Sequence, residues 1–344
     1  MRILVTGANA PGSSGTAWSL LRPDLFDEKV SLVGSDANSN FANRYFEKVI
    51  TLPHGSDKEY VNALERVCSA EKIDLVVPQT TAETTALTKS KDILSVKVAL
   101  LRSNNCEVEL TSKIDVYEII SKLASSKQDF AICKNFQDLI NFQAAVEDNY
   151  FIKADALSGG RGIVKVVNNI SGELLNKSSS YHVVTRDQVE SVFNTIDNGR
   201  GVIVQRAASG VEFSIDCFRD QKISIFIPRS RDVVRSGISQ QTTVLKNEAL
   251  IGLAYEFANE LGLVGVFGLQ CIVDSNKEIT FLECNPRIQG TMVASTFAGE
   301  NLIGRSARLA LGLPQFPLNS IQWGTEYRRS WSGVGIVREQ AYEI

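Results

Sequence analysis

Residues 268–287 read Gly268-Leu-Gln270-Cys-Ile-Val-Asp-Ser-Asn-Lys-Glu-Ile-Thr-Phe-Leu-Glu283-Cys-Asn285-Pro-Arg287. Two short runs of strand-forming residues flank the dipeptide Asn276-Lys277, which is typical of a β-hairpin with a two-residue turn. A turn of that length pairs Gln270 with Glu283 across the two strands. Phe281 is then expected on the same face, nearer the turn.

The end of this hairpin that lies away from the turn is rich in oxygen donors. Glu283 and Asn285 are two residues apart on one strand and therefore share the face of Gln270. A carboxylate and two amide oxygens suit Mg²⁺, which keeps several waters and is completed by phosphate oxygens. The sequence therefore predicts Gln270, Glu283 and Asn285 as ligands of Mg²⁺ or Mn²⁺, with Arg287 closing the cluster. A polar strand edge without a metal is the alternative.

The composition is that of an ordinary globular protein and excludes several classes of function. Of 344 residues, 44% are hydrophobic and 22% are charged, and the formal net charge is −3. That charge gives no electrostatic basis for binding nucleic acid or an anionic membrane. No apolar run approaches the roughly 20 residues of a membrane span, and the N-terminus has no secretory signal pattern. We expect neither a nucleic-acid nor a membrane partner.

The 6 cysteines and 2 histidines are scattered along the chain. The sequence contains no CxxC pair and no HExxH motif, which argues against structural zinc and against a disulfide framework. Unpaired thiols are typical of a reducing compartment, so the sequence predicts a cytoplasmic protein. Neither His54 nor His182 lies in a catalytic motif.

Residues 1–110 alternate between strand and helix patterns, beginning with the strand Arg2–Thr6 and the glycine-rich turn Gly7–Gly15. Such alternation predicts an α/β fold with a parallel sheet. Thr111 or Ser112 is predicted to cap the helix that follows. Residues 150–167 change to a hairpin pattern, and further strands follow. Helices are predicted over Glu248–Leu261 and Leu302–Leu311, and a terminal strand pair is expected over Trp323–Val337.

A glycine-rich loop, Ala156-Leu-Ser158-Gly159-Gly160-Arg161-Gly162, lies between two strand patterns, with Lys153 just before it. Glycines let backbone N–H groups approach phosphate oxygens, and a lysine adds positive charge. No GK[ST] opens a helix here, so the loop is not a Walker P-loop. The loop predicts phosphate binding, and a plain hairpin turn is the alternative.

A strand–loop–strand pattern covers residues 202–216. Backbone groups at the end of its first strand can bind the edge of an adenine ring, and an acid on its second strand can bind ribose hydroxyls. An ordinary pair of strands without a ligand is the alternative.

Taken in order, these elements resemble the ATP-grasp superfamily, most closely the module of the carbamoyl-phosphate synthetase large subunit and the carboxylate–amine ligases related to it. The resemblance covers nearly the whole chain, and its most specific motif is Glu283-Cys-Asn285-Pro-Arg287. It implies an N-terminal Rossmann-like pre-ATP-grasp domain over residues 1–110. A two-lobed ATP-grasp fold would follow, with a lid subdomain over 111–204 and a C-terminal catalytic subdomain over 205–344.

The resemblance also implies a role for each matching residue. Lys113 and Lys153 would bind the nucleotide phosphates, and the loop through Ser158, Gly159, Gly160 and Gly162 would close over them. Gln205, Arg206 and Ala208 would form the adenine strand, and Glu212 would bind the ribose. Gln270, Glu283 and Asn285 would hold Mg²⁺, and Arg287 would meet the γ-phosphate or an acyl phosphate. Gln270 stands where many relatives have an acid, which weakens the case for a second metal ion.

The implied reaction joins a carboxylate to an amine. Transfer of the γ-phosphoryl group of ATP to a carboxylate makes an acyl phosphate, whose leaving group is a stable phosphate. Metal and basic side chains stabilise the charge on the transferring group, and an amine then attacks to give an amide, ADP and phosphate. ATP and Mg²⁺ would be the cofactors, and small-molecule carboxylates and amines the partners. A homodimer is left open.

The acceptor side of the site is less well defined. Three arginines occur within residues 228–237, and Arg235 is predicted to contact the substrate carboxylate or phosphate. Arg229 and Arg231 are equally well explained as a solvated basic loop. The stretch Gln289–Thr296 follows the metal strand and is expected to line the acceptor pocket.

Other functions remain open from the sequence. A kinase or a carboxylating relative would use the same site, the latter with a carbonate-derived carboxyphosphate. A regulatory protein would bind ATP without turnover. A dinucleotide-dependent oxidoreductase is suggested by Gly7, Gly12 and Gly15, although their spacing is not GxGxxG. Product analysis separates these classes.

Overall fold

The computed structural model describes residues 1–39, 44–90, 93–105, 108–155, 162–169, 181–330, 334–337 and 340–343. Ser158, Gly159 and Gly160 of the glycine-rich loop lie outside the described residues, as do residues 170–180. Lys153 and Gly162, on either side of the glycine-rich loop, are described. No helix in the described ranges is long and apolar enough to cross a bilayer.

The N-terminal segment folds into a parallel sheet covered by helices. Its strands are β1 Arg2–Thr6, β2 Ser31–Asp36, β3 Lys48–Thr51, β4 Leu75–Val77 and β5 Lys97–Val98, and its helices are α1 Ser13–Leu20, α2 Tyr60–Glu71 and α3 Thr81–Lys89. The strand order is β3-β2-β1-β4-β5, with every pair parallel. Ile3 and Leu4 are fully buried in two different cores, because both faces of the sheet are covered. The predicted parallel α/β arrangement is confirmed.

A mixed sheet follows in the middle of the chain. Its strands are β6 Phe130–Cys133, β7 Tyr150–Ala154, β8 Ile163–Val167, β9 His182–Thr185 and β10 Val202–Arg206, in the order β6-β10-β7-β8-β9. Helices α5 Phe136–Ala144 and α6 Val189–Ile196 pack against the face that carries Ile152 and Val204. Because side chains alternate along a strand, Lys153 and Gln205 point to the opposite face.

The third sheet is antiparallel and contains the hairpin of residues 268–287. Its strands are β11 Val211–Arg219, β12 Ser224–Ser230, β15 Gly265–Val273 and β16 Ile279–Asn285, in the order β12-β11-β15-β16. Helices α4 Lys113–Ile120 and α7 Glu248–Glu260 cover the face that carries Ile215 and Leu269. The other face carries Glu212 and Gln270. Although α4 belongs to the predicted lid segment, its Tyr117 is buried in the core of this third sheet.

The remaining elements complete the C-terminal part. They are β13 Val233–Arg235, β14 Ile238–Thr243, β17 Glu326–Arg328, β18 Val334–Val337, β19 Gln340–Glu343, α8 Val293–Phe297 and α9 Leu302–Leu311. Strand β17 extends a small sheet in the order β13-β14-β17, whereas β18 and β19 pair with each other. The expected terminal strand pair is therefore split between two sheets. The domain boundaries at residues 110 and 204 stay predictions.

The turn of the hairpin β15–β16 differs from the prediction. The N–H of Asp274 donates to the carbonyl of Glu278 at 3.1 Å, so the loop consists of the three residues 275–277. Lys277, the last of them, has a φ of 66°. A left-handed residue at the end of a three-residue loop is a common hairpin geometry. The predicted two-residue turn is therefore wrong by one residue.

A β-bulge in β16 offsets the longer turn. Cys271 pairs with Phe281, yet the next residue, Gln270, pairs with Glu283, so Leu282 is an extra residue on its strand. The predicted facing of Gln270 and Glu283 is thereby confirmed. Phe281 is 1% exposed and lies in the core with Cys271, so its predicted place on the Gln270 face is wrong.

The glycine-rich turn after β1 packs tightly against the loop after β16. A Cβ on Gly12 would lie 2.7 Å from the Cα of Gly290, and a Cβ on Gly15 would lie 2.9 Å from the Cβ of Val293. Arg329 also donates to the carbonyl of Gly290 at 2.8 Å. These glycines are therefore explained by close packing between two parts of the chain, and they give no support to a dinucleotide site.

Candidate nucleotide and metal site

The three predicted metal residues lie together on one wall. Gln270 and Glu283 are paired across β15 and β16, and Asn285 Nδ2 donates to Glu283 Oε1 at 2.8 Å. Arg287 Nη2 donates to Asn285 Oδ1 at 3.1 Å. Hydrogen bonds among these side chains therefore order the wall, which is called the metal wall below.

The donors of the metal wall fit magnesium better than zinc. Within the described ranges, no group of three His, Cys, Asp or Glu side chains could hold a metal ion. One carboxylate with two amide oxygens supplies little negative charge, and Mg²⁺ bound in this way completes its shell with waters and phosphate oxygens. The metal wall therefore fits an ion that arrives with a nucleotide.

Glu212 lies on the same face of the sheet and is paired with an arginine. Arg231 Nε is 2.9 Å from Glu212 Oε1, and the N–H of Arg231 donates to the Glu212 carbonyl at 2.8 Å. Burial raises the pKa of the Glu212 carboxyl, and Arg231 opposes that shift. Burial also lowers the pKa of Arg231, against the effect of Glu212 and Glu283. Arg231 is therefore a largely buried partner of Glu212 and not part of a solvated basic loop.

A second buried arginine lies deeper in the same sheet. Arg229 is 1% exposed, and its Nε donates to both carboxylate oxygens of Asp216 at 3.0 and 3.1 Å. Its Nη2 donates to Gln289 Oε1 at 3.1 Å, and Ser295 Oγ donates to Asp216 at 2.7 Å. The interpretation of Arg229 as a solvated loop residue is wrong. Arg235 is exposed on β13 and does not belong to this cluster.

Lys153 is buried between the second and third sheets. Its Nζ donates to Tyr117 Oη and to Gln205 Oε1, each at 2.6 Å, and to the carbonyl of the bulge residue Leu282 at 3.2 Å. Burial lowers the pKa of Lys153 to about 7, although Glu283 opposes the shift. A phosphate contact by Lys153 therefore requires its ammonium group to leave three internal acceptors.

The side chain of Gln205 is buried and hydrogen-bonded within the protein. Its Oε1 accepts from Lys153, and its Nε2 donates to Asp129 Oδ1 at 3.0 Å and to the Phe281 carbonyl at 2.9 Å. Tyr117, which also donates to Gln205 Oε1 at 3.0 Å, was not singled out from the sequence. Its spacing on α4 marks it only as a core residue.

The end of strand β10 has few free donors for an adenine ring. The N–H of Arg206 donates to the Asp129 carbonyl at 3.0 Å, and the N–H of Ala207 donates to the Asn149 carbonyl at 2.9 Å. The Arg206 side chain is exposed and donates to the Ala145 carbonyl at 3.2 Å. A predicted adenine contact at this strand end would therefore fall to Ala208 and to carbonyl groups.

Lys113 is the first residue of α4, and Ser112 is its N-cap, as predicted. The carbonyl of Asp155 lies 3.5 Å from Lys113 Nζ. Burial lowers the pKa of Lys113, and Glu283 and Asp155 oppose the shift. On the opposite side of the glycine-rich loop, Gly162 has a φ of 71°, and its carbonyl accepts from Ala154 at 2.8 Å.

Arg287 connects the metal wall to the N-terminal segment. Its Nε donates at 3.0 Å to the hydroxyl of Thr81, the first residue of α3. Burial lowers the pKa of Arg287, against the effect of Glu283 and Glu83. The N-terminal segment thus helps to hold the arginine that is predicted to meet the transferred phosphoryl group.

Four cationic side chains, buried or half-buried, surround Glu283. They are Lys113, Lys153, Arg231 and Arg287, and for each one burial lowers the pKa while Glu283 opposes the shift. Burial disfavours the charged form of all four side chains, and a further anion beside them would offset that cost. The electrostatics of the site therefore suit a polyanion, such as the phosphates of a nucleotide.

The free space at the metal wall is small in this conformation. A cavity of 30 Å³, lined by Lys113, Glu283 and Asn285 among others, has room for about one water. A cavity of 1840 Å³ lies elsewhere, between α3 and α9. The cavity at the metal wall is therefore far smaller than a nucleotide.

A family model matches the C-terminal part of the chain. Residues 199–329 match a family described as ATP-grasp in the biosynthetic pathway with Ter operon. This range contains the metal wall, Gln205 and Glu212. No curated protein matches the chain significantly.

Solved structures of similar fold cover nearly the whole chain. The N5-carboxyaminoimidazole synthetase of Staphylococcus aureus, complexed with ADP, has a TM-score of 0.67 and 15% identity over 94% of this chain and 79% of that one. Biotin carboxylase from Campylobacter jejuni, in a β-γ-ATP complex, has a TM-score of 0.71 and 15% identity over 94% and 74%.

A third structure is the biotin carboxylase domain dimer of the Hydrogenobacter thermophilus 2-oxoglutarate carboxylase, with MgADP, ADP and bicarbonate. It has a TM-score of 0.71 and 14% identity, covering 100% of this chain and 83% of that one. At such identities these likenesses establish the fold. Together with the family match over residues 199–329, they confirm that the chain has the ATP-grasp fold implied by the resemblance stated from the sequence.

Proposed function

We propose that this protein is an ATP-dependent ligase that joins a small carboxylate to an amine through an acyl phosphate and releases ADP and phosphate. The observation that carries the proposal is the set of four cations around Glu283, beside a wall of three oxygen donors. The phosphates of ATP would place further negative charge beside these side chains, and their oxygens would complete the shell of a metal ion.

The residues on this sheet face would bind different parts of the nucleotide. Lys113 and Lys153 would hold the phosphates, and Glu212, supported by Arg231, would accept hydrogen bonds from ribose hydroxyls. Arg287 lies between the metal wall and Thr81, where its charge would stabilise the transferring phosphoryl group. Mg²⁺, when bound by Gln270, Glu283 and Asn285, would supply Lewis-acid stabilisation of the same oxygens.

The glycine-rich loop would keep water from the acyl phosphate. Ser158, Gly159 and Gly160 would cover the phosphates, and Gly162 would form the hinge at the end of the loop. Water exclusion matters because an acyl phosphate is hydrolysed readily, so closure would favour attack by the amine. Arg235 and the stretch Gln289–Thr296 would bind the acceptor.

Bicarbonate is the second candidate for the acid. The similar structures include an N5-carboxyaminoimidazole synthetase and two biotin carboxylases, one of them with bicarbonate bound. In this case the activated intermediate would be carboxyphosphate, formed at the same site, and the product a carbamate or carboxylated amine.

The proposal also includes the location and the partners of the enzyme. The five described cysteines are unpaired, which is typical of a reducing compartment and supports a cytoplasmic location. The partners would be small molecules. Whether two copies associate stays open.

Release of ADP tests the proposal. The wild-type protein is incubated with Mg²⁺-ATP and a matrix of amino acids, other carboxylates and bicarbonate, each paired with amines. We expect ADP and phosphate to form only with a particular acid and amine together. Glu283→Gln serves as the matched inactive control. Formation of AMP and pyrophosphate, or ADP release that Glu283→Gln does not reduce, would contradict the proposal.

A further inference from the structure

Asp155 is a buried carboxylate that the proposed reaction does not use. It follows β7 two residues after Lys153 and is 2% exposed. Its Oδ1 accepts hydrogen bonds from Ser112 Oγ at 2.8 Å and from the N–H of Ile114 at 2.9 Å. Asp155 therefore occupies the N-terminus of α4, where exposed N–H groups and the helix dipole favour an anion.

The backbone of Asp155 makes a second connection to the same helix. Its carbonyl accepts from the N–H of Lys113 at 3.3 Å and lies 3.5 Å from Lys113 Nζ. Both lysines proposed to bind phosphate are thus tied to one residue. Lys153 lies on β7, two residues before Asp155. Lys113 is the first residue of α4, whose N-terminus Asp155 contacts.

Arg200 completes the connection from the side of β10. Its Nη1 lies 3.1 Å from Asp155 Oδ2 and 3.1 Å from Ser112 Oγ, and its Nη2 contacts Asp115. Asp115 is in the first turn of α4, whereas Arg200 comes just before β10 in the second sheet. Three elements therefore meet at the Asp155 carboxylate: the end of β7, the start of α4 and the approach to β10.

This geometry also limits where a phosphate can bind. An empty helix N-terminus is a ready anion site, but here the protein's own carboxylate fills it. A phosphate near α4 is therefore left with the ammonium group of Lys113 and not with the N–H groups of the first turn.

We infer that Asp155 is a positioning residue for nucleotide phosphates: it joins β7 to α4 and so fixes the separation of Lys153 and Lys113. This inference rests on the proposed nucleotide site. Asp155 touches no phosphate itself. Its role predicts that removing its charge weakens ligands in proportion to their phosphates and leaves the adenosine part unaffected.

Calorimetry with ADP and with adenosine tests the inference. Asp155→Asn keeps an oxygen for the N-terminus of α4 but places an amide against Arg200, so we expect ADP affinity to fall about tenfold, as for the loss of one charge-assisted hydrogen bond. Adenosine affinity should stay within about twofold of wild type. Asp138→Asn is the matched control, because Asp138 also accepts a backbone N–H at the start of a helix of the second sheet. Equal losses for ADP and adenosine, or no loss for either, would overturn the inference.

Hydrogen exchange provides a second measurement that needs no nucleotide. In Asp155→Ala, exchange should become faster both in the first turn of α4 and along β7. Faster exchange confined to α4 would mean that Asp155 is only a helix cap, and the inference would be wrong. If wild-type protein binds no ADP, the proposed function falls, and this exchange pattern still decides whether Asp155 joins the two elements.

Discussion

The ammonium group of Lys153 lies 2.6 Å from Oε1 of Gln205, in a part of the molecule closed to water. Lys153 is 5% exposed and Gln205 is 2% exposed. Together with Tyr117 and the carbonyl of Leu282, they connect the second sheet to the bulge of the third. This interior network occupies the lysine that the resemblance assigns to nucleotide phosphates, so nucleotide binding and the opening of the network should be coupled.

The pH dependence of stability should reveal the depressed pKa of Lys153. Its pKa is about 7 in the folded protein against an ordinary 10.5. Between these values the unfolded chain holds a proton that the folded protein lacks, so this group makes stability rise with pH through that window. Urea unfolding of the wild type and of Lys153→Met at several pH values checks this. Equal slopes in the two proteins would show that Lys153 has an ordinary pKa.

Nucleotide binding should draw a proton onto Lys153. Phosphate favours the charged ammonium group, so at about pH 8 ADP binding should take up a proton. Calorimetry in two buffers of different ionisation enthalpy measures that uptake directly. Lys153→Met should abolish it and weaken ADP more than adenosine. Proton uptake that persists in the variant would assign it to another group.

The metal wall should tolerate a change of one amide but not of its carboxylate. Glu283→Gln removes the only negative charge among the three donors, so Mg²⁺-dependent turnover should be lost while the fold remains. Gln270→Glu adds a charge opposite Glu283 and should keep activity and tighten Mg²⁺. Activity measured against Mg²⁺ concentration tests both variants. Normal Mg²⁺ dependence in Glu283→Gln would remove the metal assignment.

Substitution of Arg231 should affect nucleotide binding, whereas substitution of Arg235 should affect acceptor binding. Arg231→Ala leaves Glu212 without its partner and should weaken ADP about tenfold. Arg235→Ala, on exposed β13, should leave ADP affinity unchanged and raise KM for the acceptor only. Titration with ADP and steady-state kinetics for both variants distinguish these roles. A loss of ADP affinity in Arg235→Ala alone would reverse the two assignments.

The packing of the turn Gly7–Gly15 against the loop after β16 should be sensitive to one added methyl group. In Gly12→Ala the new Cβ would lie 2.7 Å from backbone of Gly290, so the free energy of unfolding should fall by about 1–3 kcal/mol. Gly252→Ala is the control, because a Cβ there meets nothing within 4 Å in the middle of α7. That variant should gain about 0.5–1 kcal/mol from helix propensity. Equal behaviour of the two variants in urea unfolding would exclude the close contact.

Some features of the fold could be predicted because local chemistry determines them. Strand β1 and helix α9 have the predicted bounds, since buried apolar runs and a helical period mark them in the sequence. Strand β3 has no fully buried residue and no comparable signal. The facing of Gln270 and Glu283 was predicted correctly from an incorrect turn, because the bulge at Leu282 cancelled the error of one residue.

The candidate site was predictable where residues share one hairpin and not where distant strands meet. Glu283, Asn285 and Arg287 are close in sequence, so their cluster follows from strand geometry. Arg231 and Asp155 gain their roles from the pairing of β11 with β12 and of β7 with α4, which no local pattern reveals. Knowing that Phe213 pairs with Ser230 would have placed Arg231 opposite Glu212.

Isotope transfer gives the most direct measurement of the proposed reaction. Once an acid and an amine that support ADP release are identified, the acid is labelled with ¹⁸O in its carboxylate. Lys153, the glycine-rich loop and the metal wall are proposed to act on the terminal phosphates, so one labelled oxygen should appear in inorganic phosphate. Label in AMP instead would mean attack at the α-phosphorus and would contradict the acyl phosphate.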